Sequence, residues 1–143
     1  MIKITTDLER IGDEAKRVAR MAIRAASGDH GRNLFGQIAH LGSQVQQMLH
    51  NALDAFARMD VDAAVAVAHE DVNIDREYES VMRQSMTYMM EDPRNITPCT
   101  HLLFIAKNIE RIGDHATNIA ETTHYLTTGK RIHGGRPKSD MSS

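Results

Sequence analysis

The residues of this chain that could do chemistry are paired carboxylates. Glu9 and Asp13, Glu110 and Asp114, and Asp71 and Asp75 each stand four apart. On a helix that spacing places both side chains on one face, with Cβ atoms about 6 Å apart. Two like charges so placed destabilise an isolated helix by a few tenths of a kcal/mol. A hard cation offsets that cost by accepting carboxylate oxygens. Gly12 and Gly113 sit inside two of the pairs. A mid-helix glycine costs roughly 1 kcal/mol against alanine, yet it lets a neighbouring helix or an ion approach closely. Asn118, one turn beyond Asp114, adds a neutral oxygen. The same spacing also occurs on solvated faces, where Arg10 and Arg111 would make surface ion pairs worth under about 1 kcal/mol each.

Other reactive side chains carry less. Glu121-x-x-His124 has the spacing used by di-iron carboxylate oxidases, but that chemistry wants a second such motif and two more glutamates. His115 follows Asp114 directly, so the two do not share a helix face. His40, His50 and His69 are scattered singly. Cys99 stands near a helix start with no base beside it, and a lone cysteine excludes an internal disulfide framework or a Cys-rich zinc module. Met86, Met89 and Met90 read as core filler or a partner-docking stripe. No Gly-rich phosphate loop is present.

The pairs need helices to position them, and helical spacing runs through the chain as far as residue 129. Ile4, Leu8, Ile11, Ala15, Val18, Ala22 and Ala26 make a first stripe. Turn formers at Ser27–Asn33 interrupt it. A second stripe runs from Leu34 through Leu41 and Met48 to Met59. Asp60-Val61-Asp62 offers N-caps for a third helix, carrying Val65, Ala68, Val72, Tyr78, Val81 and Met89, which Pro93 ends. Thr97-Pro98 reads as an N-cap with proline at the first helical position. The fourth helix shows Leu102, Ile105, Ile109, Ile112, Ala116 and Ile119, and Gly129 suits its C′ position. Residues 130–143, with Lys130, Arg131, Arg136 and Lys138, read as a mildly basic disordered tail. Helices of roughly 40–45 Å joined by short turns predict an all-α, up-down helical bundle. With the third and fourth helices antiparallel, Asp71 and Asp75 would face Glu110 and Asp114.

An internal repeat organises this pattern. Leu8-Glu9-Arg10-Ile11-Gly12-Asp13 returns as Ile109-Glu110-Arg111-Ile112-Gly113-Asp114, an offset of 101 residues. The match continues through Ala15/Ala116, Val18/Ile119 and Ala19/Ala120. The second and third helices have no upstream counterparts, so residues 1–26 read as the last helix of an incomplete repeat and residues 27–129 as a complete three-helix repeat. The unpartnered first helix is expected to pack on the second repeat as a four-helix bundle, or to pair with another chain.

Composition narrows the function classes. The 143 residues carry a net charge of −2 and a pI near 6.4, which gives no general pull toward nucleic acid or anionic membrane. Hydrophobic residues make up 41% of the chain, enough for one core, and the longest apolar run, Ala63–Ala68, is far short of a membrane span. No signal-peptide h-region opens the chain, so it reads as soluble and cytoplasmic.

The segments Thr6-Asp7-Leu8-Glu9-Arg10-Ile11-Gly12-Asp13-Glu14-Ala15 and Asn108-Ile109-Glu110-Arg111-Ile112-Gly113-Asp114-His115-Ala116-Thr117-Asn118-Ile119-Ala120-Glu121 resemble the signature helices of the PhoU family. Leu53–Asp60 and Met86–Asp92 are similar to it as well, and the resemblance covers roughly residues 2–128. It implies tandem three-helix bundles of common design, of which this chain would hold the C-terminal part, without two helices of the first repeat. It implies a multinuclear metal held by Glu/Asp-x-x-x-Asp motifs, with iron or zinc expected and magnesium or manganese as alternatives. Carried over by position, the ligands would be Glu110, Asp114, Asp71, Asp75, Glu9 and Asp13, with Asn118 as a further donor. The first-repeat pair would lack its facing helix. The implied function is non-catalytic: negative regulation of phosphate uptake and phosphate-regulon signal transduction, as an adaptor between the Pst phosphate ABC transporter and the sensor histidine kinase PhoR. A cytoplasmic homodimer that meets the membrane only through its partners is expected. A di-iron carboxylate oxidase and a structural helical oligomer are the alternatives.

Overall fold

The computed structural model describes residues 2–25 and 32–132. Four helices account for nearly all of them: α1 (Ile2–Ala25), α2 (Arg32–Arg58), α3 (Val61–Glu91) and α4 (Ile96–Thr128). No strand occurs among the described residues. The all-α, up-down arrangement is the one the periodicity predicts. The expected loop at 27–33 falls mostly outside the described residues, although α2 already begins at Arg32. Most of the expected tail, from 133 onward, also lies outside them.

The turn between α2 and α3 is only two residues long because both helix ends are capped there. Asp60 N–H donates to Ala55 O (2.9 Å) and Met59 N–H to Phe56 O (3.1 Å). That is the paired pattern of a Schellman motif. Met59 adopts the left-handed conformation such an ending requires, with φ of 50°. Asp60 then caps α3, its Oδ1 accepting from Ala63 N–H at 3.1 Å.

The start of α4 differs from the expectation at Thr97-Pro98. Asp92 instead caps a 3₁₀ turn, Pro93–Asn95, by accepting from Arg94 N–H at 2.9 Å. The chain runs from that turn straight into α4 at Ile96, with Asn95 at the cap position and no side-chain cap bond. Pro98 thus lies within the first turn, where its missing N–H leaves no helical bond unmade. Gly129 ends α4 as expected, at φ 71°, its N–H donating to Tyr125 O at 2.8 Å.

The core sits between α2, α3 and α4. Leu34, Leu41, Met48, Ile74, Val81 and Ile119 are fully buried, and each contributes about 1.5–3 kcal/mol by removal from water. Helix α4 is the hub, since it packs against each of the other three helices. Among the described residues α1 packs along α4 and on neither α2 nor α3. The result is a three-helix bundle with a fourth rod laid on its hub, rather than four helices around one shared axis.

Candidate functional site

The antiparallel packing of α3 on α4 brings the second set of carboxylates to one level. A Cβ on Gly113 would stand 3.7 Å from Ile74 Cγ2 and 3.6 Å from Val45 Cγ2. Further along, Lys107 Nζ lies 5.6 Å from the centre of the Tyr78 ring. With that register, Asp71 and Asp75, which flank Ile74 in sequence, stand level with α4 between Glu110 and Asn118. Asp71 is 1% exposed and Glu110 6%. Asp75, Asp114 and Asn118 are half-buried. Lys107 Nζ donates to Glu110 Oε1 at 2.9 Å, so one cation already serves this face. The donors are all hard oxygens, the type that suits Mg²⁺, Mn²⁺ or a carboxylate-bound iron. Even so, no group of three or more His, Cys, Asp or Glu side chains gathers closely enough to hold a metal ion among the described residues. None of these positions lines the cleft of about 430 Å³ between α2 and α3, which Gln44, Asn51, Arg58 and Glu70 border.

The first set is placed differently. Glu9 and Asp13 are exposed, as are Gly12 and Ala15. Leu8 is 41% exposed, and a Cβ on Gly12 would meet nothing within 4 Å. The stripe through Ile4, Leu8, Ile11 and Ala15 therefore mixes two faces. The one turned to α4 carries Ile4, Asp7, Ile11 and Glu14, all buried, followed by half-buried Val18 and Met21. Steps of three and four along it are those of a coiled-coil seam.

Two acids thus enter a helix interface that sequence reasoning left out. His115 Nδ1–H donates to Asp7 Oδ1 at 3.2 Å. Arg17 Nη1 donates to Glu14 Oε1 at 3.2 Å, and Arg111 Nη1 stands 4.0 Å from the same oxygen. Asn108 Nδ2 donates to Phe104 O at 2.7 Å and lies 3.8 Å from Met21 Sδ. These contacts run antiparallel, residue 7 against 115 and 21 against 108. The signal was present: Asp7 and Glu14 are seven apart, interleaved with Ile4, Ile11 and Val18.

The remaining singled-out residues have structural roles or face solvent. His124 Nδ1–H donates to Lys130 O at 2.7 Å, so half of the Glu121-x-x-His124 spacing closes the end of α4. Cys99 is buried, and burial pushes its thiol up, away from the reactive thiolate. His40, His50, His69, Met86 and Met90 are exposed, and Met89 is half-buried.

A family model described as the PhoU domain matches residues 38–123. A "Phosphate-specific transport system accessory protein PhoU homolog" of Rhizobium meliloti is 51% identical over 142 residues, which are 99% of this chain and 60% of that protein. The "Phosphate-specific transport system accessory protein PhoU" of Escherichia coli is 48% identical over 128 residues, 90% of this chain and 53% of that protein. The crystal structure of PhoU from Pseudomonas aeruginosa superposes with a TM-score of 0.85 at 49% identity, covering 90% of this chain and 61% of that one. The chain spans little more than half the length of these relatives.

Proposed function

The chain belongs to the PhoU family, and on that premise we propose that it is a negative regulator of phosphate uptake and phosphate-regulon signalling. It acts by binding, as an adaptor between the Pst phosphate transporter and the sensor kinase PhoR on the cytoplasmic side, with no catalytic step of its own. The observation that carries this reading is 51% identity over 142 residues to a relative named for the phosphate-specific transport system. The test is complementation: the chain is expressed in a bacterium lacking its own PhoU, and a phosphate-regulon reporter is followed in high phosphate. Restored repression is expected. A reporter that stays fully induced while the chain accumulates overturns the reading.

The oxygen face between α3 and α4 is proposed to tune partner binding by taking a metal ion, iron or zinc first and magnesium or manganese next. Asp71, Asp75, Glu110, Asp114 and Asn118 would hold it, and Lys107 would yield Glu110 as it enters. The shared level of Asp71 and Asp75 with α4 between Glu110 and Asn118 supports this, because it sets hard oxygen donors from two helices on one face. Glu9 and Asp13 have no helix facing them among the described residues and are the weaker half of the set. Elemental analysis of protein purified without chelator, beside E110A/D114A, tests this. Equal metal content in both proteins removes the assignment. A homodimer is part of the same proposal.

A further inference from the structure

We propose that Lys107 is a built-in competitor for the oxygen face between α3 and α4, its ammonium holding Glu110 until a cation of higher charge displaces it. This rests on the metal-binding reading above and names what sets the threshold of that site. Lys107 Nζ donates to Glu110 Oε1 at 2.9 Å. The acid is buried, whereas the lysine side chain is 45% exposed. One charge beside a buried carboxylate thus comes from a side chain that water already reaches. The same ammonium lies 5.6 Å from the centre of the half-buried Tyr78 ring on α3, within the range of a cation–π contact. Lys107 therefore has a second seat, and it can leave Glu110 without giving up α3.

The pair is exchangeable rather than part of the helix's own stability. The repeat leaves this lysine out: Glu9 is the counterpart of Glu110, and at the offset of 101 residues Thr6 stands where Lys107 would be. Glu9 is exposed to water, which screens it, so the lysine occurs in the copy whose acid is buried. The order within the pair is also the weaker one. With lysine three residues before the acid, the two charges oppose the helix dipole. A partly exposed ion pair of this kind is worth little. Glu110 therefore gives up a single ammonium in favour of a doubly charged hard cation that Asp114, and Asp71 and Asp75 from α3, would share. Removing the lysine charge lowers the threshold for that exchange, and keeping it as arginine does not.

Calorimetric titration of the whole, chelator-stripped chain with Mn²⁺, and then with Fe²⁺ under argon and with Zn²⁺, is the test. The unaltered chain is compared with K107M, K107R and E110A/D114A. K107M keeps the aliphatic stem and is expected to bind roughly tenfold more tightly, because one competing charge is gone. K107R keeps that charge and should bind no more tightly than the unaltered chain. Thermal unfolding gives a second readout. In EDTA, K107M should unfold at a lower temperature, since Glu110 has lost its ammonium, and its rise in Tm on adding Mn²⁺ should be the larger. Uptake by K107M alone would also support the competitor. K107M that binds as the unaltered chain does, or more weakly, overturns it, and so does K107R that binds as tightly as K107M. In those cases loss of uptake in E110A/D114A leaves the metal site standing. No uptake of any of the three ions by the unaltered chain or by K107M overturns both the competitor and the metal reading.

Discussion

The two signature helices carry nearly the same sequence in different surroundings. In α4, Ile109 is 7% exposed, Glu110 is buried, and Gly113 faces Val45 and Ile74. In α1, the matching Leu8 is 41% exposed, Glu9 is exposed, and Gly12 faces open space. The difference is that α2 and α3 cover one copy and no described helix covers the other. A repeated motif therefore specifies a helix with a preferred strip, and neighbours decide whether that strip becomes core. The two copies meet through a third set of positions that includes Asp7 and Glu14 on α1 and Asn108 and His115 on α4, which in the repeat are each other's counterparts.

Equivalent substitutions in the two copies should sharpen that contrast. Ile109→Ala is expected to cost about 2–5 kcal/mol, the range for deleting a buried side chain among packed neighbours, whereas Leu8→Ala should cost well under about 1 kcal/mol. Urea unfolding by circular dichroism reads both, and equal costs would break the comparison. Gly113→Leu should destabilise by about 1–3 kcal/mol through overpacking against Val45 and Ile74, while Gly12→Leu should be neutral or slightly stabilising in the same measurement. Asp7→Ala removes the acceptor of His115 from the seam and should cost about 1–2 kcal/mol. Hydrogen exchange ought to show that loss in α1 before the other helices, since α1 touches α4 alone. The smallest effect is a gain: Gly12→Ala should add about 0.5–1 kcal/mol by restoring helix propensity, seen as a raised Tm.

Helix existence, order and ends were largely legible because the signals are local. Asp60 and Gly129 act as the caps their positions suggested. The start of α4 was misplaced because Asp92 and Pro93 form a 3₁₀ turn that feeds the helix directly, and Thr97-Pro98 carries the same local signature whether it begins a helix or lies one turn inside it. The carboxylates on α3 and α4 were brought to a common level, as antiparallel packing required. Which acids of α1 would be buried was not legible. Leu8, Ala15 and Ala22 and the seam of Ile4, Ile11 and Val18 both satisfy helical spacing, and only contact with α4 separates them.

Taken alone, the order of amino acids determined four helices, the caps at Asp60 and Gly129, the duplicated motif and the family. Those depend on caps, on three- and four-residue spacing and on chain direction, all written within a few residues. The fold decided that α4 is the hub, that Asp7 and Glu14 rather than Glu9 and Asp13 enter an interface, and that Lys107 serves Glu110. Burial is a property of pairs of surfaces, so a strip repeated 101 residues apart takes its fate from whichever helices reach it.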